Sequence, residues 1–393
     1  MPAIHLVIIP SVPVWNNGGS LCFDRKFYDG IILYTQYWPG RISCIMATSR
    51  SARPDFGVVE KRADELAFSC IVLGENEAVT EKHIKNADLV MASGDAHDQL
   101  YISELCRRSN IKCVYVIEYI PETRYQIASL TTRNPLILFR RFLFIWQNEQ
   151  KRIAAFRLCD AIQSNGTPAY HHYHSVRNRL LYFDTRVSKK QLIGEAELET
   201  KLERLHQDKP LRLAFSGRLV RMKGADHLVK LAQLLKVKGV PFHLTIYGTG
   251  DLDGDMRAEI AGRHLEEQVS MPGPVDFHSQ LVPDIKAKVD LFVCLHRQSD
   301  PSCTYLETLS CGVPIVGYNN RAFEGILQQA DIGWGAKMND LDGIAFIIGN
   351  LSSNRNELAE KSRNSVKFAA LHDFETTYRN RIAHLLDVNG SEP

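Results

Sequence analysis

Short apolar runs alternate with longer amphipathic stretches along nearly the whole chain, and few folds accommodate that pattern. Strand-like runs occur at Ile4–Ile9, Arg41–Ala47, Ser69–Leu73, Leu89–Ala92, Lys112–Ile117 and Ala161–Ser164, with helical stretches such as Ser20–Tyr37 and Asp98–Ser109 between them. A second series follows: strands at Leu211–Ser216, His243–Tyr247, Val269–Met271, Leu291–Leu295 and Pro314–Gly317, with helices at Ala225–Lys238 and Asp255–Arg263. Strand–helix–strand repetition predicts parallel sheets with helices on both faces. At 393 residues the chain exceeds one ordinary core, so two domains of roughly 150–200 residues are expected. We place a Rossmann-like domain at residues 1–184 and a second at 185–372, facing across a cleft. Residues 373–393 form a closing helix, free to cross back to the first domain. The segment Thr185–Pro210, charged and apolar-poor, reads as a connector with a short exposed helix.

Bulk properties narrow the function. Hydrophobic residues make up 45% and charged residues 23%, as in soluble globular proteins. The formal net charge of +2 gives no sign of nucleic-acid binding. The first 180 residues carry 21 basic and 17 acidic side chains and the remainder 26 and 28, so the mild positive excess lies in the N-terminal half. Nine scattered cysteines form no CxxC pair, which suits free thiols in a reducing compartment. The start, Met-Pro-Ala-Ile-His-Leu-Val-Ile-Ile, lacks a basic n-region and reads as a first strand. No apolar run approaches the ~20 residues of a membrane span. A cytoplasmic protein is expected.

Four features of the second half recur at strand ends. Ser216-Gly-Arg-Leu-Val-Arg-Met-Lys-Gly224 places Gly217 where a strand turns, then Arg218 and Lys223 before a helix. Two cations above a helix N-terminus suit a diphosphate, although a solvated basic loop reads the same way. Tyr247-Gly-Thr-Gly250 is a second glycine turn through Gly248, weak by itself. Met271-Pro-Gly-Pro-Val275 sets Gly273 between prolines ahead of Val275, a rigid loop able to meet a planar base or simply to turn. Glu307 opens a helix after an acidic loop; a carboxylate there either accepts from vicinal hydroxyls or complements the helix dipole.

The series Gly-Arg-Leu-Val-x-x-Lys-Gly, Leu-x-Ile-x-Gly-x-Gly, Pro-Gly-x-Val, Asp-Leu-Phe-Val and Leu-Glu-Thr-Leu-Ser-Cys-Gly-Val-Pro-Ile-Val resembles the donor domain of GT-B glycosyltransferases of family 4, which retain anomeric configuration. The likeness is dense from Leu211 to Glu324 and weaker, though collinear, over the first 180 residues. It implies a GT-B fold and a cytoplasmic, metal-independent hexosyltransferase acting in polysaccharide or lipopolysaccharide synthesis. The donor would be a UDP or GDP sugar, a substrate and not a cofactor, and the acceptor a glycan or lipid-linked hydroxyl. Arg218 and Lys223 would grip the diphosphate, Glu307 the ribose, and the loop from Gly273 to Val275 the base. The family shows a glutamate, seven residues and then a second glutamate; counting back from Glu307, the first glutamate's place is taken by Ser299, with Asp300 one step on as its acidic substitute. The usual Gly-Phe-Gly is Asp300-Pro301-Ser302, whose neighbours Ser302, Cys303 and Thr304 would turn backbone amides to phosphate or sugar.

In the first half, Asn16-Asn-Gly-Gly-Ser20 follows a strand and is expected to open a helix, with Gly18 and Gly19 allowing close approach of a ligand. Glu118 stands where relatives often carry histidine; it is a candidate base at a strand end, or part of an ion cluster with Glu122 and Arg124. His97 reads as a surface or capping histidine, and His171-His-Tyr-His174 as an exposed helix and not a metal site. Asn134 to Trp146, with Lys151 and Arg152, is apolar, aromatic and basic on one helix, open to a bilayer interface or to plain core packing. Two rivals stand beside this reading: a sugar-nucleotide epimerase or phosphorylase on the same scaffold, and an idle relative serving as a glycan-binding or assembly partner, which the altered residues at 118 and 299 keep open.

Overall fold

Strands buried on both faces must stack helices on both sides, and that requirement shapes this chain. The computed structural model describes residues 4–49, 51–54, 57–74, 77–132, 134–207 and 209–390. The first half contains strands β1 (His5–Ile9), β2 (Trp15–Asn17), β3 (Ser20–Asp24), β4 (Arg41–Ala47), β5 (Val58–Arg62), β6 (Ser69–Leu73), β7 (Leu89–Ser93), β8 (Lys112–Ile117), β9 (Ala161–Asn165) and β10 (Arg179–Tyr182). Seven of them form one parallel sheet in the order β10-β9-β8-β7-β1-β4-β6. Alternate side chains of β1 enter different cores: Val7 and Ile9 pack on one face, Leu6 and Ile8 on the other.

The second half supplies β11 (Leu211–Ser216), β12 (Phe242–Tyr247), β13 (Val269–Gly273), β14 (Leu291–Cys294), β15 (Ile315–Tyr318) and β16 (Gly333–Ala336). They pair in parallel in the order β13-β12-β11-β14-β15-β16. That order is the doubly wound arrangement, whose ligands sit where the strand order reverses. The reversal falls between β11 and β14 here, and between β1 and β7 in the first sheet. The chain is thus α/β, with two Rossmann-like parallel-sheet halves, as the resemblance implies.

Three segments depart from the sequence reading. Ser20–Tyr37 is not one helix: Ser20–Asp24 is β3, antiparallel to β2, with Asn17 opposite Ser20. Gly18 and Gly19, at φ 55° and 107°, form the two-residue loop. Positive φ at both positions is what a right-twisted hairpin needs, so a turn, and not a helix start, explains the glycine pair. The helix itself begins at Arg25, capped by Asp24, whose carboxylate accepts from Phe27 N. Second, the helix Glu195–Leu205 is not exposed. Leu198, Leu202 and Leu205 form an apolar stripe that joins the second core. Buried Lys201 on the same side donates to the carbonyls of Ile285, Lys286 and Cys311. Third, Asp98–Ser109 divides into a 3-10 turn, His97–Gln99, and a helix, Ile102–Arg108.

The helix Phe374–Asn389 lies against the helix Arg25–Tyr37 of the first half. Tyr378 and Tyr34 meet edge to face at 5.6 Å. Gly30 makes the approach possible, because a Cβ there would stand 2.2 Å from the Tyr378 hydroxyl. Arg381, buried, lies over the rings of Tyr182 and Tyr378 and donates to Gln163 Oε1.

Candidate active site

At the switch point of the second sheet the loop after β11 meets the loop after β14. Gly217 turns the chain at φ 150°, and Arg218 follows with its side chain exposed. Lys223 ends the next 3-10 turn, and Gly224 holds a left-handed conformation at φ 70°. A Cβ on Gly224 would come 2.0 Å from Leu295 O, so the lysine loop is pressed against the end of β14. Lys223 Nζ donates to Asp300 Oδ2 at 3.0 Å, with the two side chains only 13% and 9% exposed. Asp300 Oδ1 is buried and has no hydrogen-bond partner among the described residues. The basic loop and the acidic loop are therefore one site, although 77 residues separate their charges.

Gly248 serves this turn by packing: a Cβ on it would lie 2.0 Å from Gly217 O, so the loops after β11 and β12 interlock. Gly273, at φ 89°, ends β13, and half-buried Val275 packs against the cluster of Phe292 and Ile315 on the second sheet.

The segment from Ser299 to Glu307 joins the two halves. Ser299 N donates to Gln126 Oε1 at 3.0 Å, its carbonyl accepts from Thr123 Oγ1, and its hydroxyl accepts from Arg321 N. Pro301 stands so close to Gly166 that a Cβ on that glycine would approach Pro301 Cβ to 2.6 Å. The Ser302 amide bonds the Asp300 carbonyl inside the loop, and the Ser302 and Thr304 hydroxyls are 3.2 Å apart. The Cys303 thiol accepts from Lys26 Nζ at 2.9 Å, and Lys26 also pairs with Asp184. Burial and Asp184 push this thiol up to about 12, so it stays protonated at neutral pH. Burial opposes charge on Lys26, but Asp184 and Cys303 outweigh it and hold the ammonium well above its ordinary range. Glu307, buried on the helix Thr304–Leu309, accepts from Arg186 Nε at 2.9 Å, and Arg186 stacks on Phe277.

Facing this segment, at the carboxyl ends of β1, β7 and β8, lies a cavity of about 340 Å³. Lys26, Asp95, Glu118, Asp184 and Arg381 are its charged lining, together with Asp24. Glu118 Oε2 accepts from Asn165 Nδ2 at 3.2 Å. Burial, then the fields of Asp95 and Asp184, raise its carboxyl to about 8; Asp300 adds to the effect from across the cleft. At neutral pH Glu118 is mostly a neutral acid and offers a hydrogen to donate. Asp95 is the partner of Arg124, at 2.5 Å, and accepts the amides of Glu118 and Tyr119. The ion cluster of Glu118, Glu122 and Arg124, the alternative to a base role for Glu118, does not form: Arg124 takes Asp95, and Glu122 takes Arg321.

Several expected residues stand elsewhere. Gly18 and Gly19 sit exposed at the hairpin tip, where an added Cβ would meet nothing within 4 Å. His97 packs edge to face with Phe144, and His172 lies 3.6 Å from Glu149. Among the described residues no group of three or more His, Cys, Asp or Glu is arranged for a metal ion. Lys26, Asp95, Asp184 and Arg186 were not anticipated. Each is an isolated charge in an ordinary context, and only the meeting of two distant segments reveals it.

Residues 198–368 match the family described as Glycosyl transferases group 1. Over 195 residues the chain is 28% identical to the amylovoran biosynthesis glycosyltransferase AmsK of Erwinia amylovora, covering 46% of this chain and 44% of that protein. The matched region thus spans less than half the length of this curated relative. Among solved structures, HepE of Anabaena in complex with UDP superposes with a TM-score of 0.67 at 13% identity, covering 98% of this chain and 99% of the other. The apo form of the lipopolysaccharide outer core galactosyltransferase WaaB gives 0.65 at 12% identity, covering 98% and 99%. Residues 198–368 are thus similar to glycosyl transferases group 1, and the likeness to solved glycosyltransferase structures extends over nearly the whole chain as a shared GT-B fold.

Proposed function

We propose that the chain is a retaining glycosyltransferase that moves a hexose-type sugar from a UDP or GDP sugar to a hydroxyl of a glycan or lipid-linked acceptor in glycan biosynthesis. The contact of Lys223 with Asp300 at the switch point, opposite the acidic cavity of the first sheet, carries this reading. A donor diphosphate placed on Lys223 and Arg218 competes with the Asp300 carboxylate for the lysine. Asp300 then turns to the sugar hydroxyls, in place of the carboxylate absent at Ser299. Glu307, oriented by Arg186, takes the ribose, and the Gly273–Val275 loop the base. As the C1–O bond to the diphosphate breaks, the two cations stabilise the departing charge without calling on a metal. The acceptor oxygen bonds to C1 on the face just vacated, and its proton passes to a diphosphate oxygen. Glu118, protonated, donates to the sugar or acceptor instead of acting as a base.

A panel of nucleotide sugars read out by released nucleotide tests the proposal, with UDP sugars first because HepE was solved with UDP and with UDP-glucose. Acceptor-dependent release from one donor is expected. Conversion of the donor with no acceptor would favour an epimerase. A second reading, a glycan-binding or assembly partner without turnover, draws on the same contact, since Lys223 is already neutralised. Failure to bind either UDP or GDP by calorimetry would favour it.

A further inference from the structure

The helix Pro135–Leu158 changes character half way along. Its second half is anchored in the first domain: Arg152, 1% exposed, donates to Gly94 O at 2.7 Å and pairs with Glu149, and Ala155 and Phe156 enter the core. The arginine counted as basic surface in the sequence is thus an internal strut. The first half stands out from the body. Leu136 is 74% exposed, Phe139 68%, Trp146 55% and Phe144 53%, and Ile137 and Leu143 are exposed beside them. Leu138, Phe142 and Ile145 turn inward toward the helix Pro121–Thr131, where Phe142 meets the ring of Tyr125 at 4.8 Å.

At 100° per residue the exposed apolar side chains spread across the whole outward side, about half the circumference. A protein groove receives one stripe of a helix at i, i+3, i+4 and i+7 spacing. A convex, wide apolar surface suits a fluid boundary instead. Arg140 and Lys151 lie on the same outward side, and residues 135–147 contain no acidic side chain. Neither cation has an ion-pair partner among the described residues, which favours a negative surface, and Trp146 is of the type that settles at a membrane–water boundary. No helix among the described residues is long and apolar enough to cross a membrane.

We infer that residues 135–147 form a docking surface for an anionic lipid bilayer, lying in its interface with the anchored half as a rigid stem. The inference does not rest on the donor reading, and neither outcome decides the other. Its test is co-sedimentation of the full chain with vesicles of phosphatidylcholine alone or with added phosphatidylglycerol. Binding to the anionic vesicles should exceed that to neutral ones by on the order of tenfold at about 0.1 M salt and weaken as salt rises. Phe139→Ser with Trp146→Ser, and separately Arg140→Glu with Lys151→Glu, should each reduce binding by on the order of tenfold. All four positions are exposed, so unchanged melting and circular dichroism should accompany the loss. Brominated lipid should quench tryptophan emission in the parent and much less in Trp146→Phe. No vesicle binding, or variants that bind like the parent, would overturn the inference. So would a dimer in solution that the Phe139/Trp146 variant dissolves, which would assign the surface to a second copy of the chain.

Discussion

Lys223 Nζ stands 3.0 Å from Asp300 Oδ2, so the lysine proposed to grip a diphosphate already holds a carboxylate. Both groups are largely shielded from water, where a charge-assisted contact is strong and its loss is felt. Replacing Lys223 by Ala removes the preorganised charge stabiliser, and turnover of a nucleotide sugar should fall by about 100-fold or more. A near-parental rate would remove Lys223 from the mechanism.

The same contact predicts opposite effects of one substitution. Asp300→Asn relieves competition for Lys223, so calorimetry should show nucleoside diphosphate binding tightened several-fold. Transfer should slow by at least about tenfold, as expected when one charged hydrogen bond to the sugar is weakened. Binding and turnover that fall together would show that Asp300 supports the loop and does not compete.

Glu118 gives the site a pH signature. Its carboxyl lies near 8 in the folded protein, against about 4.3 in an unfolded chain. The folded state therefore holds this proton between those values while the unfolded state has lost it, so the stability tied to Glu118 is present at low pH and drains away as pH rises toward 8. Glu118→Gln cannot ionise; its melting temperature relative to the parent should rise from pH 5 to pH 8.5. The variant also keeps a hydrogen to donate, so its rate should stay level between pH 7 and 9, where that of the parent declines. A pH-independent difference in both measurements would refute the buried-acid assignment.

Arg186 orients Glu307 from the crossing between the two halves. Arg186→Ala leaves a buried carboxylate without its partner, and because the arginine is half exposed, a loss of about 1–2 kcal/mol is expected in denaturant unfolding. Nucleotide affinity should weaken as well, while Lys223-dependent steps keep their pH profile. Unchanged affinity would free Glu307 from the ribose role.

The hairpin tip separates a folding role from a binding role. Gly19→Ala meets open space but must adopt φ near 107°, so about 1 kcal/mol of stability should be lost. The KM for a sugar donor should not move. A large KM change with unaltered melting would return the glycine pair to the site.

The parallel strands were legible because β-branched and apolar runs of the right length recur between helical stretches, as at Arg41–Ala47 and Lys112–Ile117, where reading and structure coincide. Gly333–Ala336 carries two glycines and one tryptophan, and it is a strand only because β15 offers it a partner. The hairpin was hidden because Asn-Asn-Gly-Gly-Ser serves equally as a loop before a helix. Lys223, Asp300 and Glu307 were visible in their local motifs, but the pairing of Lys223 with Asp300, and of Glu307 with Arg186, was not. Asp300 lies in the next loop of the same sheet, whereas Arg186 belongs to the crossing and Lys26 to the other half, 277 residues from Cys303. Local pattern marks one side of a contact; only packing names the other.

Leu6, Ile8 and Tyr34 share their core with Tyr378, Ile382, Leu385 and Leu386. The first domain thus waits for the helix Phe374–Asn389 to be made. During synthesis, the part of the apolar face that this helix covers stays open until residues 185–373 have been translated. The two halves mature in reverse order: the second can finish early, and the first is sealed last.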